Sequence, residues 1–237
     1  MLGYNKLLII DALMKQGSTP RYENNNKFIY SEHSGVISVK NGVIDNIIIF
    51  AESNRTDYGD QNIYLPTNNP LMEKYEYLFH THPNTQTYGG RTNEGIIYEF
   101  PSANDILNFV KYHDTGIVQA SIVVSPEGIY VVRPLKCQSK YNIDPKFYYF
   151  LRKFILKLEK KAMSKFANII PYISGPETFH KYISSNLKFI KLYNKYLEPH
   201  NLFIEYYPRE KKNGEWCLRP INLPYVDNSS PTNYEII

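Results

Sequence analysis

The dipeptide Asn41-Gly42 lies between two apolar, β-rich runs, residues 35–39 and residues 43–50. Asn-Gly is the strongest short-range hairpin signal, because both residues accept the positive φ angles that a tight type I′ turn requires. The sequence therefore predicts an antiparallel hairpin early in the chain. Any fold available to this chain must contain a β-sheet built on that hairpin.

The pattern up to residue 136 adds further strands and helices to this hairpin. Strands are predicted over residues 75–82, 117–124 and 129–132, and helices over residues 7–14 and 102–113. Ser102 occupies the N-cap of the second helix, with Asp105 three residues later as in a capping box. This order predicts an α/β fold, a mixed β-sheet flanked by helices.

The composition changes after residue 136. Residues 145–166 and 176–197 read as two aromatic, Lys-rich amphipathic helices, and residues 202–207 and 216–218 as the arms of a last hairpin. We therefore expect two parts, an α/β domain over residues 1–136 and a mainly helical C-terminal extension over residues 137–237. The aromatic faces of the extension favour burial in a core, with docking of a protein partner as the alternative.

The charge balance and the cysteine content exclude several classes of protein. Lys and Arg (27) exceed Asp and Glu (23) by only four, with no long basic run, so no nucleic-acid partner is expected. Nucleic-acid binding by the Lys-rich helices of the extension is an alternative that a steep salt dependence of DNA affinity would support. Two cysteines are too few for a disulfide framework. No apolar stretch approaches the roughly 20 residues of a membrane span or forms a signal peptide. A cytoplasmic protein without a membrane anchor is therefore expected.

His80 and His82 are the residues that most suggest chemistry. Two residues apart on a strand, their side chains point to the same face, so both imidazoles can meet one ion. A catalytic zinc needs about three protein ligands and one open position, and a carboxylate is an acceptable third. Asp105, in the first turn of the predicted helix, is the candidate. An HxH pair alone is weak evidence, and Ser102 with Asp105 is more simply a helix cap.

Such a site also needs a general base and a donor to an oxyanion. Glu32, just before the strand of residues 35–39, is the candidate base, and Glu52 is its rival. Ser102 is the candidate donor. His33 is expected on the opposite face of its strand from Glu32 and outside the site.

The motifs Glu32-x-x-Gly35, His80-x-His82-Pro83 and Ser102-x-x-Asp105 together resemble the signature of the JAMM (MPN+, JAB-domain) zinc metalloproteases. The resemblance covers roughly residues 5–135 and implies an MPN-type fold. It implies zinc held by His80, His82 and Asp105, with Glu32 as general base and Ser102 at the oxyanion. The implied activity is a deubiquitinase-like isopeptidase or peptidase that acts at the C-terminus of ubiquitin or a ubiquitin-like protein.

The composition and the long segment of residues 84–101 are most like JAB-domain proteins of giant DNA viruses, which implies a place in the host cytoplasm. That segment is longer than the family's usual connection between HxHP and SxxD, and we expect it to bulge outward as a flap beside the metal. One alternative is a catalytically inactive MPN scaffold in a larger complex. Another is the same chemistry on a sulfur-carrier protein or a polyprotein.

Overall fold

The computed structural model describes residues 1–19, 23–24, 27–56, 72–83, 95–136, 141–173 and 175–226. Within these ranges the strands are β1 (Glu23–Asn24), β2 (Lys27–Lys40), β3 (Val43–Thr56), β4 (Tyr77–Thr81), β5 (Ala120–Val124), β6 (Gly128–Pro134), β7 (Leu202–Pro208), β8 (Glu210–Lys212) and β9 (Glu215–Cys217). The α-helices are α1 (Tyr4–Gly17), α2 (Ala103–Thr115), α3 (Phe147–Phe166), α4 (Pro176–Phe179) and α5 (Lys188–Leu197). None of the described helices is both long and apolar enough to cross a membrane.

The expected hairpin is present as β2 and β3, joined at Asn41 and Gly42 with φ angles of 53° and 73°. These positive values are the ones that the type I′ turn demands. In the described part of the chain, β2 and β3 begin one mixed sheet in the order β3-β2-β4-β5-β6-β7, with the short β1 beside the start of β2. Strands β4 and β5 are parallel, because helix α2 crosses over between them, and the other neighbours are antiparallel. The predicted α/β class is confirmed.

Both faces of the sheet are covered by helices. One face packs on α2, α3 and α5 through residues such as Leu78 and Tyr130. The other face packs on α1 and the chain around Ile221 through Phe79 and its neighbours. Successive strand residues alternate between the two cores, which explains why the central strands are apolar on both sides.

Gly35 lies where β2 passes closest to its neighbours. A β-carbon there would stand 2.0 Å from the carbonyl oxygen of Ile48 and 2.6 Å from the Phe79 ring. The pairing of β2 with β3 shifts register at Ser34/Gly35, as at a β-bulge. Only glycine fits here, so the last residue of the Glu32-x-x-Gly35 motif has a steric reason.

The C-terminal part is continuous with the first part. Strand β7 pairs with β6 along its length, and α3 and α5 share the core that covers α2. The predicted pairing of residues 202–207 with residues 216–218 is therefore wrong. Residues 202–207 lie in the main sheet, and the last hairpin is the smaller β8–β9 pair.

The single helix expected over residues 176–197 is also wrong, because it is broken into α4, a π-helical turn (His180–Ser184) and α5. The helix is interrupted at Ser184, Ser185 and Asn186. The side chains of these three residues form hydrogen bonds with backbone groups. Serine and asparagine favour such local bonds over a helix interior.

Candidate metal centre

Strand β4 and the first turn of α2 bring three buried ligand groups together. His80 and His82 lie on the face of the sheet that packs on α2, the same face as Leu78, and Asp105 projects from α2 above them. The Nε2 atoms of the two histidines are 3.1 Å apart. Asp105 Oδ1 lies 3.3 Å from His80 Nε2, and Asp105 Oδ2 lies 3.5 Å from His82 Nε2. All three side chains are buried.

These spacings are those of a tetrahedral zinc site. With zinc–ligand bonds of about 2.0–2.1 Å, tetrahedral geometry separates neighbouring ligand atoms by about 3.3–3.4 Å. The separations of 3.1, 3.3 and 3.5 Å are close to that value, although the last two join the histidines to different oxygens of Asp105. The three residues could therefore hold a metal ion, and three protein ligands would leave one coordination position open.

A hydrogen bond fixes the orientation of His82. Its Nδ1 lies 3.0 Å from the carbonyl oxygen of Glu99. A carbonyl only accepts, so Nδ1 carries a proton, and Nε2 is the atom that can bind a metal once its own proton has left. The N–H of Glu99 in turn donates to the buried carboxyl group of Glu127, which also accepts from the hydroxyl of Tyr130. The backbone of Glu99 is thus bonded both through the carbonyl that orients His82 and through its N–H.

The capping box of α2 fixes the orientation of Asp105. Ser102 N–H donates to Asp105 Oδ2 over 2.6 Å, and the Asp105 N–H donates to Ser102 Oγ over 3.2 Å. The simpler interpretation of Ser102 and Asp105 as a helix cap is therefore correct, and it agrees with the metal hypothesis. The cap orients the carboxylate of Asp105, and Ser102 keeps its hydroxyl proton free to donate.

Glu32 lies beside His82. Ser34 pairs with His80 across β2 and β4, and the His33 N–H donates to Thr81 Oγ1, so the register continues to place Glu32 opposite His82. Residues directly opposite share a face of the sheet, here the face of the metal ligands. Glu32 is 2% exposed.

The other candidates of the sequence analysis lie elsewhere. His33 is buried on the opposite face of the sheet, near Gly17 of α1. Glu52 pairs in register with His33, and its side chain lies outside the described residues. The predicted flap falls largely on residues 84–94, which also lie outside them. Its second half does not bulge outward, because Ile97, Tyr98 and Phe100 are buried in the core.

Residues that no sequence motif identified support the segment that precedes α2. Tyr193 of α5 donates to the carbonyl of Pro101, the residue just before the cap of α2. Tyr98 donates to the carbonyl of Ile183, and Ser184 donates to the carbonyl of Glu127. The alternation of aromatic and acidic residues at positions 98–100 was a usable signal, because an acid between two buried rings needs buried partners.

The acidic groups of the site set the protonation of His82. Burial alone lowers the pKa of an imidazole, but the hydrogen bond to Asp105 and the charges of Glu32, Asp105 and Glu99 outweigh it and raise the pKa of His82 to about 9. Burial likewise raises the pKa of Asp105, but the charges and hydrogen bonds of His80 and His82 outweigh it and hold that pKa well below its ordinary value. Without metal, His82 is therefore protonated at neutral pH.

Metal binding is consequently expected to release a proton from His82. Because its pKa is raised to about 9, the proton is bound below that pH and must leave before Nε2 can ligate. The apparent affinity for zinc should rise about tenfold per pH unit between about pH 6 and pH 8, and fall as the pH is lowered. Competition with a chromogenic chelator, corrected for the protonation of the chelator, measures this slope. A pH-independent affinity would contradict the protonation assigned to His82.

Comparison with known proteins finds one informative similarity. The chain is 56% identical over 235 residues to an uncharacterized protein of Acanthamoeba polyphaga mimivirus, a match that covers 96% of this chain. The chain therefore has a homologue in a giant virus. This chain spans about 66% of the length of that viral relative. No protein-family model and no solved structure matches the chain. The resemblance to the JAMM proteases therefore rests on the motif residues and on the geometry of the site.

Proposed function

We propose that the protein is a zinc-dependent amide hydrolase of the JAMM type, with an MPN-type arrangement of β2, β4 and α2. The observation that carries the proposal is the convergence of His80, His82 and Asp105 at separations of 3.1, 3.3 and 3.5 Å. The buried carboxyl group of Glu32 on the neighbouring strand adds support, because a purely structural metal site has no need of a base.

The roles of the side chains follow from their positions. A zinc ion, when bound, polarises a carbonyl oxygen and lowers the pKa of a water molecule to about 7. His80, His82 and Asp105 would hold it. Glu32 accepts the proton of the attacking water and delivers it to the leaving amine. Ser102 donates its hydroxyl proton to the oxyanion of the tetrahedral intermediate.

The substrate class comes from the resemblance alone. It is an isopeptide or peptide bond made by the C-terminus of ubiquitin or of a ubiquitin-like protein, which makes the enzyme deubiquitinase-like. Conjugates of such proteins are then the partners of the first part of the chain.

Two measurements test the proposal in order. Native mass spectrometry of protein purified without chelators is expected to find one zinc per chain. A panel of linkage-defined ubiquitin dimers and of ubiquitin-like precursors is then expected to include a substrate whose cleavage stops on addition of a chelator and resumes with zinc.

The outcomes separate the alternatives. Zinc without cleavage of any ubiquitin-like substrate would overturn the substrate class and keep the metal centre. Folded protein that takes up no zinc, even when zinc is added, would overturn the enzyme and favour an inactive scaffold of the same fold.

A further inference from the structure

Positive charge is concentrated in one part of the chain. Residues 145–197 contain eleven Lys and Arg residues and two acidic residues, a net charge of +9. The whole chain carries +4, so the other residues together carry −5. One of the two acids, Glu159, is buried. The helical region of residues 145–197 is therefore strongly basic, although the net charge of the whole protein is small.

The basic surface contains a groove. It lies between the end of α3, the π-helical turn and the exposed side of α5, and has a volume of about 990 Å³. Five exposed lysines line this lysine groove, namely Lys165, Lys181, Lys188, Lys191 and Lys195. Among the described residues that line it, none is acidic and none belongs to the candidate metal centre.

The lysines of the groove are not neutralised within the described part of the chain. The ion pairs found there involve other lysines, Lys15 with Asp11 and Lys211 with Glu177. Lys165 and Lys181 lie over the rings of Phe166 and Tyr182, at 4.9 Å and 5.1 Å from the ring centres, contacts that leave the charge in place.

Solvation of a surface helix does not explain this pattern. Lys188, Lys191 and Lys195 are spaced three and four residues apart, so they follow one face of α5, while Phe189 and Tyr193 are buried. Like charges at this spacing destabilise a helix, and a face that only needs solubility mixes both signs. A row of lysines about one turn, or about 5 Å, apart instead suits a ligand with regularly repeated negative charge.

We propose that the lysine groove binds the phosphate backbone of a single-stranded nucleic acid, independently of its sequence. Lysine is a point charge that contacts phosphate without the planar fork with which arginine reads guanine, so affinity without base selection is expected. Tyr182, 40% exposed at the groove, offers a ring on which a base can stack. A helix that binds a membrane surface buries its apolar face in the bilayer, whereas the apolar face of α5 is packed in the core of the protein, so a nucleic acid suits the groove better than a membrane.

Nucleic-acid binding at the lysine groove agrees with the alternative that the Lys-rich helices offered, and not with the expectation from the charge of the whole chain. The net charge and the absence of a long basic run do not report which charges lie together on the folded surface. Binding at the groove is independent of the proposed hydrolase activity, because none of the residues of the metal centre takes part.

The test is fluorescence anisotropy with the full chain and a labelled oligothymidine. If five phosphates are contacted, the logarithm of the affinity should fall with the logarithm of the salt concentration with a slope of about −3.5, at about −0.7 per contact. This corresponds to a loss of about 100-fold between about 50 mM and 200 mM salt. No binding at the lower salt concentration, or binding insensitive to salt, would overturn the proposal.

A matched pair of variants locates the site. The triple variant Lys188→Gln, Lys191→Gln, Lys195→Gln should reduce the slope to about −1.4. The control Lys157→Gln, Lys160→Gln, Lys161→Gln removes the same charge from exposed positions of α3 outside the groove, and should keep the slope. Thermal melts verify that both variants fold. Equal slopes in the two variants would contradict the assignment to the groove.

Two further measurements test the ligand class. Tyr182→Ala should lower the affinity about tenfold without changing the slope, because stacking is not ionic. Poly-glutamate of equal charge should compete poorly with the oligonucleotide. Equal competition would show that the groove binds an acidic protein instead. An unchanged affinity of the Tyr182→Ala variant for the oligonucleotide would contradict the stacking of a base on Tyr182.

Discussion

Replacing Asp105 by asparagine is expected to abolish tight zinc binding while the protein stays folded. The substitution keeps the shape of the side chain and one oxygen that can accept the N–H of Ser102, so the cap of α2 survives in part. It removes the negative charge of the carboxylate that lies near both His80 and His82. Loss of outer-sphere partners alone weakens metal sites by about 10- to 100-fold, so loss of this ligand should exceed about 100-fold.

The measurement is zinc affinity by chelator competition, with the thermal midpoint of the metal-free protein as the test of folding. Asp114→Asn is the matched control, because Asp114 lies on the same helix with a solvent-exposed side chain. That variant should bind zinc like the parent. Wild-type affinity in Asp105→Asn would mean that any bound zinc is held elsewhere, and the proposed chemistry would lose its metal.

The first part of the fold was predictable because its signals are local. Asn41 and Gly42 form a turn because of their own conformational preferences, and Ser102 caps the helix that directly follows it. His80 and His82 point to the same face because side chains alternate along a strand. The proximity of His80, His82 and Asp105 was predictable for the same reason. Asp105 is separated from His82 by 22 residues, but the cap that orients it lies within one turn of helix.

The errors arose where long-range contacts decide the structure. Residues 202–207 have the pattern of a strand, but a strand pattern does not state its partner, and β6 provides a longer edge than the short β9. Residues 84–101 were expected to bulge outward, yet Tyr98 and Phe100 stack with ring centres 5.0 Å apart inside the core. Burial of that segment depends on α5, which is nearly a hundred residues away in sequence.

This arrangement gives the C-terminal part a role in the site. Tyr193 of α5 donates a hydrogen bond to the carbonyl just before the cap of α2, the cap that orients Asp105. Ser184 donates a hydrogen bond to the carbonyl of Glu127. The carboxyl group of Glu127 accepts the N–H of Glu99, the residue whose carbonyl orients His82. The basic helices therefore support the metal centre on their buried side while presenting the lysine groove on their exposed side.

Replacing Glu32 by glutamine is expected to leave zinc in place and to reduce amide hydrolysis by about 10²- to 10⁴-fold, the usual contribution of a general base. Glutamine preserves the volume of this buried side chain but cannot take a proton at neutral pH. Zinc affinity should change by less than about tenfold, because Glu32 is not a ligand in the three-residue group. Zinc content and turnover, measured on the same preparation, separate the two effects.

Glu99→Gln is the sharpest control for Glu32→Gln. Glu99 is also buried, and its charge also raises the pKa of His82, so the substitution makes a similar electrostatic change at the metal centre. Glu99 does not lie opposite His82 on β2, and a change in the field alone should reduce turnover by less than about tenfold. If Glu99→Gln lost turnover and Glu32→Gln kept it, the base would be Glu99. Equal losses in both would mean that the negative charge beside His82, and not proton transfer by Glu32, is what the reaction requires.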